Sequence, residues 1–393
     1  MKRGVVRFIV GSLLAARLVV GVAAEPRPDG PAPTVTARAA LAAHLRAIYR
    51  EPPATWPAPH VDPGVEWREL GLLSAVRHPD ENPFTPAKVE LGRTLFHDPR
   101  LSARGTVACV SCHDPRFGWA DGRAVSEPVF SSPGRNAPTI RNAAFQAALL
   151  WDGRAASLEE HAVLALTSPQ EMAADRDQIE RLLAGSAGYT ALFAAAYPGR
   201  PITFAAATAA VACFERTVVG GRSRFDDFLR GDGRALSDAE IIGLDLFRRE
   251  ARCLNCHHGP TFSDGRFHDL GLSYHGRSNE DLGRFAVTGD PADRGRFRTP
   301  SLRDVTRTAP FMHTGRFTLR GVLAMYNAGM VTLKRQPHER DVPVKSPHLK
   351  PLGLTREDLE DLAAFLAALE EPPDRDAPPP LPPLDDAAVR ERR

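Results

Sequence analysis

Four of the five cysteines fall into two pairs, Cys109-Val-Ser-Cys112 and Cys253-Leu-Asn-Cys256, and a histidine follows each at once, His113 and His257. Two thiols at this spacing add to the two vinyl groups of one porphyrin, and the next residue brings an imidazole to the iron. The repeated pattern therefore reads as two covalent haem c attachment sites. A dithiol redox motif would need no histidine and would not occur twice. A four-cysteine zinc site brings its pairs within a few tens of residues, whereas all of residues 113–252 lie between these two. Cys213 sits in an apolar run of helical spacing, 204–219, and reads as a buried core thiol.

The elements around the two motifs repeat as well. The first motif is preceded by Thr85-Pro86 and Leu91-Gly92-Arg93 with Leu95-Phe96, and followed by Asp121-Gly122. The second is preceded by Ser237, Glu240, Gly243-Leu244 and Leu246-Phe247, and followed by Asp264-Gly265. Thr85 suits an N-cap with Pro86 at the first helical position, and Ser237 with Glu240 forms a capping box. Apolar residues three and four apart predict further helices over 157–165, 176–184, 189–197, 204–219 and 225–229, with a last one starting at Thr355. Strand patterns are scarce, and 31 glycines with 35 prolines call for long ordered loops. The expected fold is mainly α, with two cytochrome c-like haem domains and little strand. The expected organisation is a signal peptide over 1–24, a Pro-rich leader over 25–79 winding onto the first domain, haem domains over 80–235 and 236–371, and a disordered tail over 372–393.

Charge narrows the function class. With 50 basic and 48 acidic residues, the chain is no nucleic-acid binder held by bulk charge. Lys2 and Arg3 precede an apolar stretch that ends in Val22-Ala23-Ala24, the pattern of a secretory signal, so an exported, periplasmic protein is expected.

The residues resemble the bacterial dihaem cytochrome c peroxidases and their relative MauG over about 80–370. Besides the haem motifs, the resemblance rests on Gly134-Arg135-Asn136-Ala137-Pro138-Thr139, Trp151-Asp152-Gly153-Arg154 and Ser168-Pro169-Gln170-Glu171-Met172. It continues through Phe214-Glu215-Arg216-Thr217, Thr299-Pro300-Ser301-Leu302-Arg303 and Thr308-Ala309-Pro310-Phe311-Met312-His313. It implies a peroxidatic haem on Cys109, Cys112 and His113, and an electron-storing haem on Cys253, Cys256 and His257. It also implies Trp151 between the two haems, Glu171 as the distal acid/base, and Ca²⁺ held by Asn136 with the carbonyls of Thr308 and Pro310. The loop 126–133, where activatable peroxidases carry a displaceable histidine, has none here, which implies an open, high-spin first haem.

Two positions depart from the family or choose within it. His161 stands where the family usually has Gln, and would either assist proton transfer or ligate the iron. The distal ligand of the second haem is Met in the peroxidases and Tyr in MauG. Counting from Thr318-Leu319 puts that position at Tyr326, with Met325 and Met312 as rivals. The resemblance thus implies a MauG-like peroxidase or oxidase using hydrogen peroxide, fed by a small cytochrome c or cupredoxin or acting on a substrate protein, with a homodimer among its expected states. A conventional peroxide-detoxifying enzyme with a His/Met haem is the alternative, and a non-catalytic dihaem electron carrier the third reading.

Overall fold

The computed structural model describes residues 35–126, 134–333, 341–374 and 377–384. The signal peptide over 1–24, most of the loop 126–133 and the last nine residues of the tail lie outside the described residues. No helix among the described residues is long and apolar enough to cross a membrane.

The architecture is helical, as expected. In chain order the helices are α1 (Val35–Tyr49), α2 (Pro86–Phe96), α3 (Leu158–Thr167), α4 (Arg176–Ala184), α5 (Ala187–Ala196), α6 (Phe204–Glu215), α7 (Arg224–Leu229), α8 (Asp238–Arg248), α9 (Phe285–Thr288), α10 (Leu319–Asn327) and α11 (Arg356–Ala368). The only sheet among the described residues is an antiparallel pair, β1 (Phe267–Asp269) with β2 (Arg296–Arg298), in the register His268 to Phe297. Side-chain caps start the helices where the sequence put them: Thr85 accepts from the Lys88 amide, Ser157 from Glu160, Asp175 from Gln178, and Ser237 and Thr355 close capping boxes. The run 204–219 was expected to stay helical, yet α6 stops at Glu215. There the Val218 carbonyl accepts from the Asn142 amide of a neighbouring loop, and Gly220-Gly221 follows.

Two large cores form, one around each haem motif. Leu91, Leu95, Phe96, Ile140, Phe193 and Phe214 belong to the first; Ile241, Leu244, Phe247, Phe262, Leu362 and Phe365 belong to the second. The same helix crossing lies at the heart of each. A Cβ on Gly92 of α2 would stand 1.9 Å from the Ala210 carbonyl oxygen of α6, and one on Gly243 of α8 would stand 2.1 Å from that of Asp361 in α11. In both crossings the next neighbour is a phenylalanine, Phe214 or Phe365. Glycine is needed at these points because the helices approach backbone to backbone.

Both terminal segments depart from expectation. The leader contains α1, and Ala42, Leu45 and Tyr49 pack with Trp56 and Leu70 into the second core rather than the first. Tyr49 donates to Asp245 at 2.6 Å. Alanine-rich helix propensity and the apolar spacing of these three residues outweigh the prolines on either side. The tail, expected to stay unpacked, lies against the first core as far as it is described. Leu384 joins that core, Ser186 Oγ donates to the Pro383 carbonyl at 2.8 Å, and Trp119 Nε1 donates to Asp374 at 2.8 Å. A proline-rich segment loses little chain entropy on docking and keeps its carbonyls free to accept.

Candidate active site and haem-binding residues

The two C-x-x-C-H motifs have one local geometry. Each begins with a 3₁₀ turn, Cys109–Ser111 or Cys253–Asn255, and each histidine amide donates back to the first cysteine carbonyl, at 3.0 Å for His113 and 2.8 Å for His257. The imidazoles are oriented alike: His113 Nδ1 faces the Trp119 carbonyl at 3.2 Å and His257 Nδ1 faces the Phe262 carbonyl at 3.0 Å. As donors to these carbonyls, the Nδ1 atoms leave both Nε2 atoms for a metal. Trp119 and Phe262 have φ of 63° and 53°, in the left-handed region that aromatic residues avoid. The same turn therefore aims the carbonyl at the imidazole in both motifs. None of the four thiols is in a disulfide.

Beyond His113 lies a polar group. His161, on α3, is buried, and its ring centroid is 6.1 Å from that of His113. Its Nδ1 stands 3.8 Å from a carboxylate oxygen of Glu215, and neither that nitrogen nor Glu215 Oε2 has a hydrogen-bond partner among the described residues. Burial pushes the Glu215 carboxyl up to about 8 and the His161 imidazole down to about 3. Near neutral pH the pair is thus a carboxylic acid beside an uncharged imidazole. Arg216 opposes the rise at Glu215 but does not cancel it, because its guanidinium is forked onto Glu159 at 2.7 and 2.8 Å.

Glu171 sits after α3 with 38% of its side chain exposed, 3.6 Å from the Arg154 guanidinium. Burial raises its carboxyl above the ordinary range and Arg154 opposes this. The Trp151–Arg154 loop that carries this arginine also reaches the second site. Trp151 is buried, donates to the Asn136 carbonyl at 2.8 Å, stands 6.2 Å from the His313 ring, and lines the cavity around Cys253, Cys256 and His257. Gly153 holds the loop at φ +69°, where a Cβ would meet Phe267 at 2.4 Å.

That second cavity is largely apolar and fits a haem. Its wall includes Leu319, Val322, Leu323, Leu362 and Leu366 besides the two cysteines and His257. Tyr326, on α10, and Met312 line it; Met325 is not among its lining residues. Burial, with the two cysteine sulfurs close by, pushes the Tyr326 phenol up. Asn136, Thr308 and Pro310 also face this cavity, and the Asn136 amide nitrogen is used by the Arg123 carbonyl at 2.7 Å, which leaves Oδ1 for a cation. Sequence reasoning matched the Phe-Glu-Arg-Thr motif without giving Glu215 a role, and it did not single out Arg298. Nothing in residue type or spacing marks either one. Only the folded chain shows that Glu215 is buried beside His161 and that Arg298 is buried on the second cavity.

Known proteins resemble this chain in sequence and fold. A family model for the di-haem cytochrome c peroxidases matches residues 86–234. The methylamine utilization protein MauG of Methylorubrum extorquens is 40% identical over 314 residues, covering 78% of this chain and 85% of the relative. The cytochrome-c peroxidase IdrP1 of Denitromonas iodatirespirans is 39% identical over 334 residues, covering 76% and 86%. Among solved structures, a MauG-like protein associated with microbial copper homeostasis aligns with a TM-score of 0.68 at 35% identity, covering 77% of this chain and 95% of the other. With its two haem motifs built alike and these relatives matched over most of their length, the chain belongs to the di-haem cytochrome c peroxidase and MauG family, oxidoreductases that act on peroxide and carry two c-type haems.

Proposed function

We propose that the protein is a MauG-like peroxidase in which peroxide reacts at the first haem and the second haem has a His257/Tyr326 ligand pair. The observation that supports this reading most directly is that Tyr326 lines the cavity of the second motif while its neighbour Met325 does not, which leaves Met312 as the one methionine rival on that wall. When bound, the haems supply an iron that accepts peroxide and a second centre that shares the oxidising equivalents. Glu171 takes a proton from one peroxide oxygen and returns it to the other. Its raised carboxyl and its partly open position suit that exchange, and Arg154 orients it. His161, neutral and with Glu215 beside its Nδ1, would assist that exchange. Trp151 links the sites through its loop, and two electrons from a docking cytochrome c, cupredoxin or substrate protein complete the conversion of peroxide to water. In this reading the haem domains are 80–235 and 236–371, Ca²⁺ sits at Asn136, Thr308 and Pro310, and the protein works in the periplasm, alone or as a homodimer.

One distance favours a second reading, in which His161 closes the first haem. The His113 and His161 ring centroids are 6.1 Å apart, within the span of two imidazoles that would share one metal with bonds of about 2 Å each. Absorption and low-temperature EPR spectra of the oxidised holoprotein, before and after stoichiometric peroxide, separate the readings. A high-spin haem beside a low-spin His/Tyr haem, both signals lost on adding peroxide, is the expected result. A sulfur-to-iron charge-transfer band moves the protein to the conventional peroxidases. Two low-spin haems indifferent to peroxide, even after half-reduction, leave an electron carrier.

A further inference from the structure

Buried arginines in this protein come with a carboxylate. Arg141 pairs with Asp304 at 2.9 Å, Arg216 with Glu159 at 2.7 Å, Arg303 with Asp226 at 3.0 Å, and Arg248 with Glu69. Arg298 is the exception among the described residues. It is 4% exposed, at the end of β2, and its guanidinium meets only carbonyls: Nε donates to Leu150 at 3.1 Å and Nη1 to Thr299 at 3.3 Å. No carboxylate offsets its burial, which alone holds it down at about 10. An unpaired buried cation is among the costliest arrangements a fold can contain, and it persists where an anion arrives from outside the chain. Arg298 lines the cavity of Cys253, Cys256 and His257. Of the other basic residues on that wall, His257 belongs to the haem motif, His268 is held by Asp264 at 2.8 Å, and Arg252, His348 and Lys350 converge on Asp62.

We propose that Arg298 binds a propionate carboxylate of the second haem and thereby ties that haem to the backbone of Trp151. The tie follows from the hydrogen bonds. The Arg298 amide donates to the Trp151 carbonyl at 2.8 Å while its side chain holds the carbonyl of Leu150. One residue thus grips the tryptophan loop with its main chain and Nε and also lines the cavity of the second motif. A haem carboxylate is the anion that the family chemistry brings to this place, and a guanidinium takes it as a fork. The inference rests on the di-haem reading. It makes Arg298 a positioning residue for the path between the haems, with no part in proton transfer.

The test uses holoprotein carrying R298Q or R298K beside the wild type. Haem content comes first: two haems per chain in the wild type uphold the di-haem reading, and fewer would overturn that reading independently of Arg298. With two haems present, R298Q should move the propionate bending band of the second haem in the resonance Raman spectrum and shift its reduction potential negative, because a cation near the iron has been removed. R298K should recover most of the potential and little of the band, since an ammonium keeps the charge and loses the fork. A band and potential unchanged in both variants would overturn the proposal. Should R298Q fail to mature, a crystal structure of the wild-type holoprotein decides: a propionate oxygen within hydrogen-bond distance of Arg298 supports the inference, and water or an inorganic ion there overturns it.

Discussion

The two haem motifs agree on one side and part company on the other. On the proximal side each histidine is held by a carbonyl from an aromatic residue with positive φ, and each motif packs against a helix pair that crosses at a glycine. On the far side the first motif meets His161, Glu171 and Glu215, while the second meets an apolar cavity containing Tyr326, Met312 and Trp151. The duplicated half does what both haems need, namely attachment and a fixed tautomer. The divergent half differs in polarity, and in the proposed function that difference separates proton handling at one site from electron storage at the other.

The largest effect tests the polar half. Glu171→Gln should slow the reaction with peroxide about 10²–10⁴-fold in stopped-flow measurements. Because burial raises this carboxyl above its ordinary value, the wild-type rate should fall with decreasing pH on a limb lying above pH 4.5. That limb should vanish in the variant; a full rate in E171Q would remove the contrast between the sites. Tyr326→Met tests the other half. It should raise the second haem's reduction potential by an amount on the order of a tenth of a volt and bring in a sulfur-to-iron band, with the first haem's spectrum unchanged.

The shared half is tested by a matched pair. Gly92→Ala and Gly243→Ala each push a methyl into a backbone carbonyl, so each should cost about 1–3 kcal/mol in denaturant unfolding, by similar amounts. A large cost at one position only would break the equivalence of the two crossings. The smallest effect belongs to the tail. Asp374→Ala removes the acceptor of the Trp119 indole and one partner of Arg141, for about 1 kcal/mol; Tm of the holoprotein reads it.

Much of this was legible in the residues. The attachment motifs are local chemistry, and the capped helices are local as well: 176–184 was read with the bounds the structure has, and Ser157, Ser237 and Thr355 stand at their N-caps. What escaped depends on distant partners. Glu215 and His161 belong to different helices, and no rule of spacing brings them to 3.8 Å. Arg298 looks like one surface arginine among many until its burial without a carboxylate is seen. The helix in the leader was hidden by the prolines around it, and the docking of the tail by a composition that in isolation favours disorder. In both segments the energy comes from a surface formed by residues hundreds of positions away, as in the Tyr49–Asp245 and Trp119–Asp374 bonds.

Those two segments cross over. The one that precedes the first core in the chain completes the second, and the one that follows the second core completes the first. A chain opened near residue 235 would yield two pieces that each carry an arm belonging to the other. Such pieces should stay together, because each arm packs on the core that its partner carries. The same exchange between two intact chains would be a swapped dimer, built with no interface that the single chain lacks.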